Sequence, residues 1–285
     1  MINRLNPLND YLFLKMMGEK GDEEQLMSFL NAVLSRTGRK ALESVEIVDP
    51  KLTAEIVGDK ASVLDVRAVT NDGIKTNIEV QLKNLSNMGK RSLFYWSREY
   101  NSGIVSGQDY IELPNVIAIN IMGFPFLKID DFHACFHLRE DRHPEYVLDD
   151  ALELHFLDIS KFVSLCEKDI QNNPLHRWLS FFDPNTDVSV LREVLDMDNA
   201  IRKASDKMTF VSQDPESFRY YQMREMGLSD ITSSINYARK EGEARGKIMM
   251  IRSFIAAGFD AEQIRKIAKE QGVAEDDLED EIKLI

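Results

Sequence analysis

The hydrophobic pattern changes its period once in the first third of the chain. Up to Arg36 it is helical: Leu26, Phe29, Leu30, Val33 and Leu34 recur three and four apart, predicting helices over 10–17, closed by Gly18, and over 22–36. After Gly38 the period falls to two, which predicts strands over 44–48, 63–69 and 74–83. Asn71-Asp72-Gly73 joins the last two and is a hairpin signal. A helix follows over 88–105. The apolar run 115–122 reads as buried, and two further strands fall over 132–139 and 152–159. The rest is mostly helical in pattern. Gly242, Gly246, Gly258 and Gly272 punctuate its last part, which reads as an appended tail, and no internal repeat is present.

The hairpin carries the most information. A three-residue loop at Asn71-Asp72-Gly73 sets Asp65 opposite Glu79, Arg67 opposite Asn77 and Val63 opposite Gln81. Side chains alternate along strands, so Asn77, Glu79, Gln81 and Lys83 share one face and Ile78, Val80 and Leu82 the other. Taken alone, such alternation is better explained by a half-solvated sheet. Two carboxylates directly opposite are harder to explain that way, because like charges across a sheet repel by roughly 0.2–1 kcal/mol. A bridging cation reverses the sign. Asp65, Glu79 and the backbone carbonyl of Val80 make an oxygen set suited to Mg2+, with Mn2+ or Ca2+ as alternatives, and Gln81 lies beside them.

Composition narrows the classes. The chain has 285 residues, enough for one or two domains with a real core, and 14 Gly and 8 Pro exclude collagen and low-complexity polymers. Its longest uncharged run, 113–127, is shorter than the roughly 18 residues of a membrane helix and contains Pro114 and Pro125. No export signal is read at the N-terminus, so a cytoplasmic location is expected. Cys135 and Cys166 form no metal or redox motif and are expected to be buried or half-buried thiols. With a net charge of −13, any contact with a polyanion must be local. Two basic stretches qualify. From Lys83 to Arg98 the charges are Lys83, Lys90, Arg91 and Arg98 with no acid, and 239–252 holds five basic residues against two acidic ones.

Four ordered segments resemble the PD-(D/E)XK nuclease superfamily, and within it the Rpn family of recombination-promoting nucleases and putative transposases: Asn9-Asp10-Tyr11-Leu12-Phe13, Leu64-Asp65-Val66-Arg67-Ala68, Asn77-Ile78-Glu79-Val80-Gln81 and Lys90-Arg91-Ser92-Leu93-Phe94-Tyr95-Trp96. The resemblance implies an α/β, restriction-endonuclease-like core, a mixed sheet flanked by helices, over 1–160. A helical extension over 161–238 and a helical tail over 239–285 would follow. It further implies a metal-dependent DNA endonuclease with little sequence preference. Asp65 and Glu79 would hold the metal, Gln81 would stand at the superfamily's lysine position, and Asp10 would match an early acidic position that reaches the metal or its water. Asp10 as a simple helix cap is the alternative. Gln81 can orient water or phosphate but brings no charge, so Lys83 or Arg91 would supply it. Arg91, Tyr95 and Arg98 form one helical stripe, and with Lys83 and Lys90 they are the expected DNA contacts. A catalytically weak DNA-binding or assembly protein of transposase-like origin is the second reading, and on either one homo-oligomers through the helical C-terminal region are expected.

Two other constellations compete. His133, Cys135 and His137 alternate on one strand face, with His155 on a neighbouring strand, as a zinc hydrolase would require. The opposite face, Phe132, Ala134, Phe136 and Leu138, reads as the core stripe, which leaves the first three pointing outward. In the tail, Asp260 caps a helix burying Ile264, Ile267 and Ala268, with a turn near Gly272 and a second helix after Ala274. Six acidic residues in that second helix oppose a DNA-reading role and favour protein contacts or simple solvation.

Overall fold

The computed structural model describes residues 4–48, 65–104, 107–273 and 278–279. They form two compact units, 1–227 and 228–285. The first opens with α1 (Asp10–Met17) and α2 (Glu23–Leu34), followed by a tight turn at Ser35–Thr37. Both match the helical period of the sequence. α1 is buried at Tyr11–Leu14, Met16 and Met17, so it is a core helix and not a surface one. Its N-cap is Asn9, whose side chain accepts from the Leu12 N–H, so the cap role considered for Asp10 belongs to its neighbour.

Six strands form one mixed sheet: β1 (Val45–Ile47), β2 (Val66–Thr70), β3 (Lys75–Gln81), β4 (Val116–Met122), β5 (His133–His137) and β6 (Leu152–Asp158), in the order β1-β2-β3-β4-β6-β5. β1, β2 and β3 pair antiparallel, β3, β4 and β6 parallel, and β5 returns antiparallel on the edge. A parallel step needs a crossover, and α3 (Met88–Asn101) supplies it between β3 and β4. α3 ends four residues before the expected boundary at 105. The sheet lies between two layers. On one face Val66, Ala68, Ile78, Ile117, Ile119, Ile121 and Leu157 meet Leu12, Phe13, Phe29 and the aromatic cluster of α5 (Pro174–Phe182), with Trp178, Phe181 and Phe182. On the other, α3 buries Met88 against Ala118, Met122, Leu154 and Phe156. The helical second half adds α4 (Ile159–Val163), α6 (Val188–Met197), α7 (Asn199–Gln213) and the long α8 (Pro215–Ala256). This mixed, helix-flanked sheet with a helical C-terminal half is the expected restriction-endonuclease-like architecture.

Three details depart from the pattern reading. On β5 burial does not follow the expected faces: His133 is buried beside Ala134, whereas Phe136, and Leu138 just beyond the strand, are 43% and 51% exposed. β5 is an edge strand, and Glu153, His155 and Arg39 cover the polar side that alternation alone left in solvent. Gly242 and Gly246 lie inside α8 and interrupt nothing, because an isolated glycine weakens a helix without ending it. Cys166 is exposed, while Cys135 is half-buried as expected.

In the second unit α9 (Ala261–Glu270) starts with a reciprocal cap between Asp260 and Gln263 and buries Ile264 and Ala268 against Ile251 and Leu278. Ile267 is only half-buried, and most of the helix expected after Ala274 lies outside the described residues.

Candidate active site

The β2–β3 hairpin closes as its sequence demands. Gly73 takes φ +80°, a conformation that favours glycine, and its N–H donates to the Thr70 carbonyl at 2.9 Å. The resulting register pairs Arg67 with Asn77 and Val66 with Ile78. Continued by one residue, it sets Asp65, at the mouth of β2, across from Glu79. Val63, expected opposite Gln81, lies outside the described residues.

The polar face of this hairpin is not solvated. Asn77 and Glu79 are 4% and 2% exposed because α3 covers them. The hairpin and α3 together enclose a cleft of about 340 Å³, with Asp65 and Arg67 from the first strand side, Asn77 and Glu79 from β3, and Tyr95, Arg98 and Glu99 from α3. Glu79 is its electrostatic centre. Three donor nitrogens converge on Glu79 Oε1: Arg91 Nε at 2.8 Å, a second Arg91 nitrogen at 2.6 Å and Gln81 Nε2 at 2.8 Å. Burial pushes the Glu79 carboxyl above its ordinary range. Arg91 and Gln81 pull it back in part, and the negative charge of Asp65 adds to the rise. Arg67 spans two acids, 3.5 Å from Asp65 and 3.6 Å from Glu99.

The guanidinium of Arg91 also sits 5.3 Å from the centre of the Tyr95 ring, and that of Arg98 lies 5.9 Å from Phe94, so the expected stripe is a real helix face. One polar atom in the cleft is unsettled. Asn77 Oδ1 is buried and accepts no hydrogen bond among the described residues. Two carboxylates and an unpaired amide oxygen are hard donors, the kind a divalent cation of the Mg2+ class takes, so the residues present fit such an ion.

Of the side chains singled out in the sequence, the structure gathers Asp65, Glu79, Gln81, Arg91, Tyr95 and Arg98 in or beside one cleft. Lys83 and Lys90 are half-buried and exposed respectively, and neither lines it. Asp10 is not brought there either. Its carboxylate is gripped by Arg224 of α8, with Arg224 Nε 2.9 Å from Asp10 Oδ1 and a second, shorter contact to Oδ2. Arg67, Asn77 and Glu99 were not singled out as site residues. Asn77 was legible on the same strand face as Glu79, and Glu99 stands at i+4 from Tyr95 on the same stripe. For Arg67 only its place opposite Asn77 gave a signal.

No curated protein and no solved structure matches the chain. The family model for PD-(D/E)XK nuclease family transposases matches residues 7–238, which takes in the sheet, the hairpin with Asp65 and Glu79, α3 and the helices through the first half of α8. A hairpin that sets Asp65 across from the buried Glu79 beneath the following helix, on a mixed sheet that this family model spans, makes the chain a member of the PD-(D/E)XK nuclease family transposases.

Proposed function

We propose that this protein is a Mg2+-dependent DNA endonuclease with little sequence preference, acting in recombination or movement of mobile DNA in the cytoplasm. The observation that carries the reading is the juxtaposition of Asp65 with the deeply buried Glu79 in one cleft. A carboxylate kept in such a place at the cost of desolvation is more typical of function than of packing. Asp65, Glu79 and the Val80 carbonyl would hold the ion, whose chemistry is to polarise a phosphoryl oxygen and lower the pKa of an attacking water. Gln81 orients that water or a phosphate oxygen through its amide while also bonding Glu79. Arg91 contributes the positive charge that glutamine lacks at that position. Tyr95 and Arg98 extend the site along α3 toward the DNA backbone, and Lys83 and Lys90 lie further out. Asp10 holds α1 against α8 through Arg224 and takes no part in the chemistry.

The test is relaxation and linearisation of supercoiled plasmid across Mg2+, Mn2+ and Ca2+. Wild type should cut and lose activity in EDTA, and Asp65→Asn and Glu79→Gln should each be inactive while still folded. Equal cutting by wild type and both variants would refute the site. One observation favours the second reading, a DNA-binding or assembly protein with weak catalysis: Glu79 Oε1 is already saturated by Arg91 and Gln81. Metal-independent DNA binding without cleavage under every condition would select it.

A further inference from the structure

At the opposite edge of the sheet, β5 and β6 gather side chains that the proposed nuclease chemistry does not use. Their antiparallel register sets Cys135 opposite His155 and His137 opposite Glu153, all on the face turned away from α3. Cys135 Sγ lies 3.8 Å from His137 Nδ1, and His137 Nε2 lies 3.6 Å from Glu153 Oε2. One sulfur, one nitrogen and one oxygen from Cys135, His137 and Glu153 all fall within 4.8 Å of one another. We propose that these three side chains form a binding site for a zinc-class transition-metal ion, distinct from the Asp65–Glu79 cleft.

The spacing suits the ion. Zn–S and Zn–N bonds of about 2.3 and 2.0–2.1 Å at a tetrahedral angle separate the two ligand atoms by about 3.6 Å, close to the Cys135–His137 distance. The donor set is the soft and borderline mixture that selects zinc over magnesium, the reverse of the all-oxygen cleft. Its supporting shell is already assembled. Glu153 Oε1 lies 2.7 Å from His155 Nε2, and Oε2 accepts from Arg39 Nε at 2.9 Å, which fixes the carboxylate in one orientation. His155 is itself held from behind, with its Nδ1 2.9 Å from His133 Nε2. Outer partners of this kind orient metal ligands and are a large part of a site's affinity. Glu153 and His155 are wholly buried, whereas Cys135 and His137 are half-buried, so an ion has a way in and a solvent molecule can complete its coordination. Bound there, it would pin the edge strand β5 to β6 through side chains.

The full-length chain, stripped with chelator and dialysed, is titrated with Co2+ as a spectroscopic substitute for zinc. One ion per chain should give the near-ultraviolet thiolate-to-cobalt charge-transfer band, and Zn2+ should displace it. Asp65→Asn and Cys166→Ser should give the same band, with the same number of band-forming ions per chain, as wild type. Cys135→Ser should abolish the band, and His137→Gln, at a more tolerant half-buried position, should weaken affinity at least about tenfold, with circular dichroism unchanged. Cobalt bound without the band in wild type, or a band that survives in Cys135→Ser, would overturn the site. So would wild-type affinity in a folded His137→Gln. None of these results depends on whether the chain cuts DNA.

Discussion

Glu79 shows what a single residue costs and returns. It is almost fully buried, and the guanidinium of Arg91 is the main charge facing it. Removing one partner of a buried pair leaves an uncompensated charge, whereas removing both leaves little behind. Arg91→Gln should therefore lower stability by about 3 kcal/mol, and adding Glu79→Gln should restore more than half of the loss. Urea unfolding of the two single variants and the double variant measures this directly; equal loss in Arg91→Gln and the double variant would show that the pair is not coupled. His176 offers a second residue-scale test. Its ring packs against Phe132 and Phe162, and its Nδ1 accepts the Asp169 N–H. Burial lowers its pKa below the ordinary 6.5, with Lys168 adding to the effect and Asp169 opposing it. The folded state thus prefers the neutral ring, so the contribution of His176 is complete above 6.5 and declines as pH falls through 6.5 toward the lowered folded value. Thermal unfolding between neutral and mildly acid pH should show this decline in wild type and a shallower one in His176→Gln.

At the scale of elements, Asp10 and Arg224 join the first helix of the core to α8 across more than two hundred residues of chain. Arg224 is 7% exposed, so the pair is shielded from water on its basic side. Asp10→Asn should cost about 2–3 kcal/mol in denaturant unfolding while leaving plasmid cleavage per folded molecule near wild type. Asp65→Asn should do the opposite, abolishing cleavage at a cost of no more than about 1 kcal/mol. Loss of cleavage without loss of stability in Asp10→Asn would return that residue to the site. The contrast also marks where the sequence was legible. The hairpin could be read because Asn71-Asp72-Gly73 dictates a loop and a loop dictates register, so the Arg67–Asn77 pairing followed from local chemistry. Burial of the Asn77–Glu79 face could not be read, because it depends on α3 folding back over the sheet, a tertiary event that period-two alternation does not encode. The same limit hid the burial of His133 on β5. There Arg39, distant in sequence, neutralises Glu153 and makes a polar face an inside face.

For the whole molecule the question is how a chain of net charge −13 would hold a polyanion. At physiological ionic strength the screening length is about 8 Å, so a phosphate backbone responds to charges near its path and little to the remainder. The proposed path runs from the cleft along the outer side of α3, where Arg98 and Lys90 are exposed and Lys83 is half-buried. Arg91 belongs to a different class because its guanidinium is already committed to Glu79. The four cations therefore divide. Lys83→Gln, Lys90→Gln and Arg98→Gln should each weaken DNA binding and flatten its logarithmic salt dependence by about one unit for every phosphate left without its cation. Arg91→Gln should leave that slope close to wild type and instead reduce turnover, because it disturbs the buried acid and removes the charge proposed to stand in for a lysine. Fluorescence anisotropy on a labelled duplex over a salt series, with Ca2+ in place of Mg2+ to hold back cleavage, separates the two behaviours. If the first three substitutions leave affinity and slope unchanged while neutralisation of the basic residues within 239–252 lowers both, the duplex does not follow α3, and the cleft must receive its phosphate from another direction.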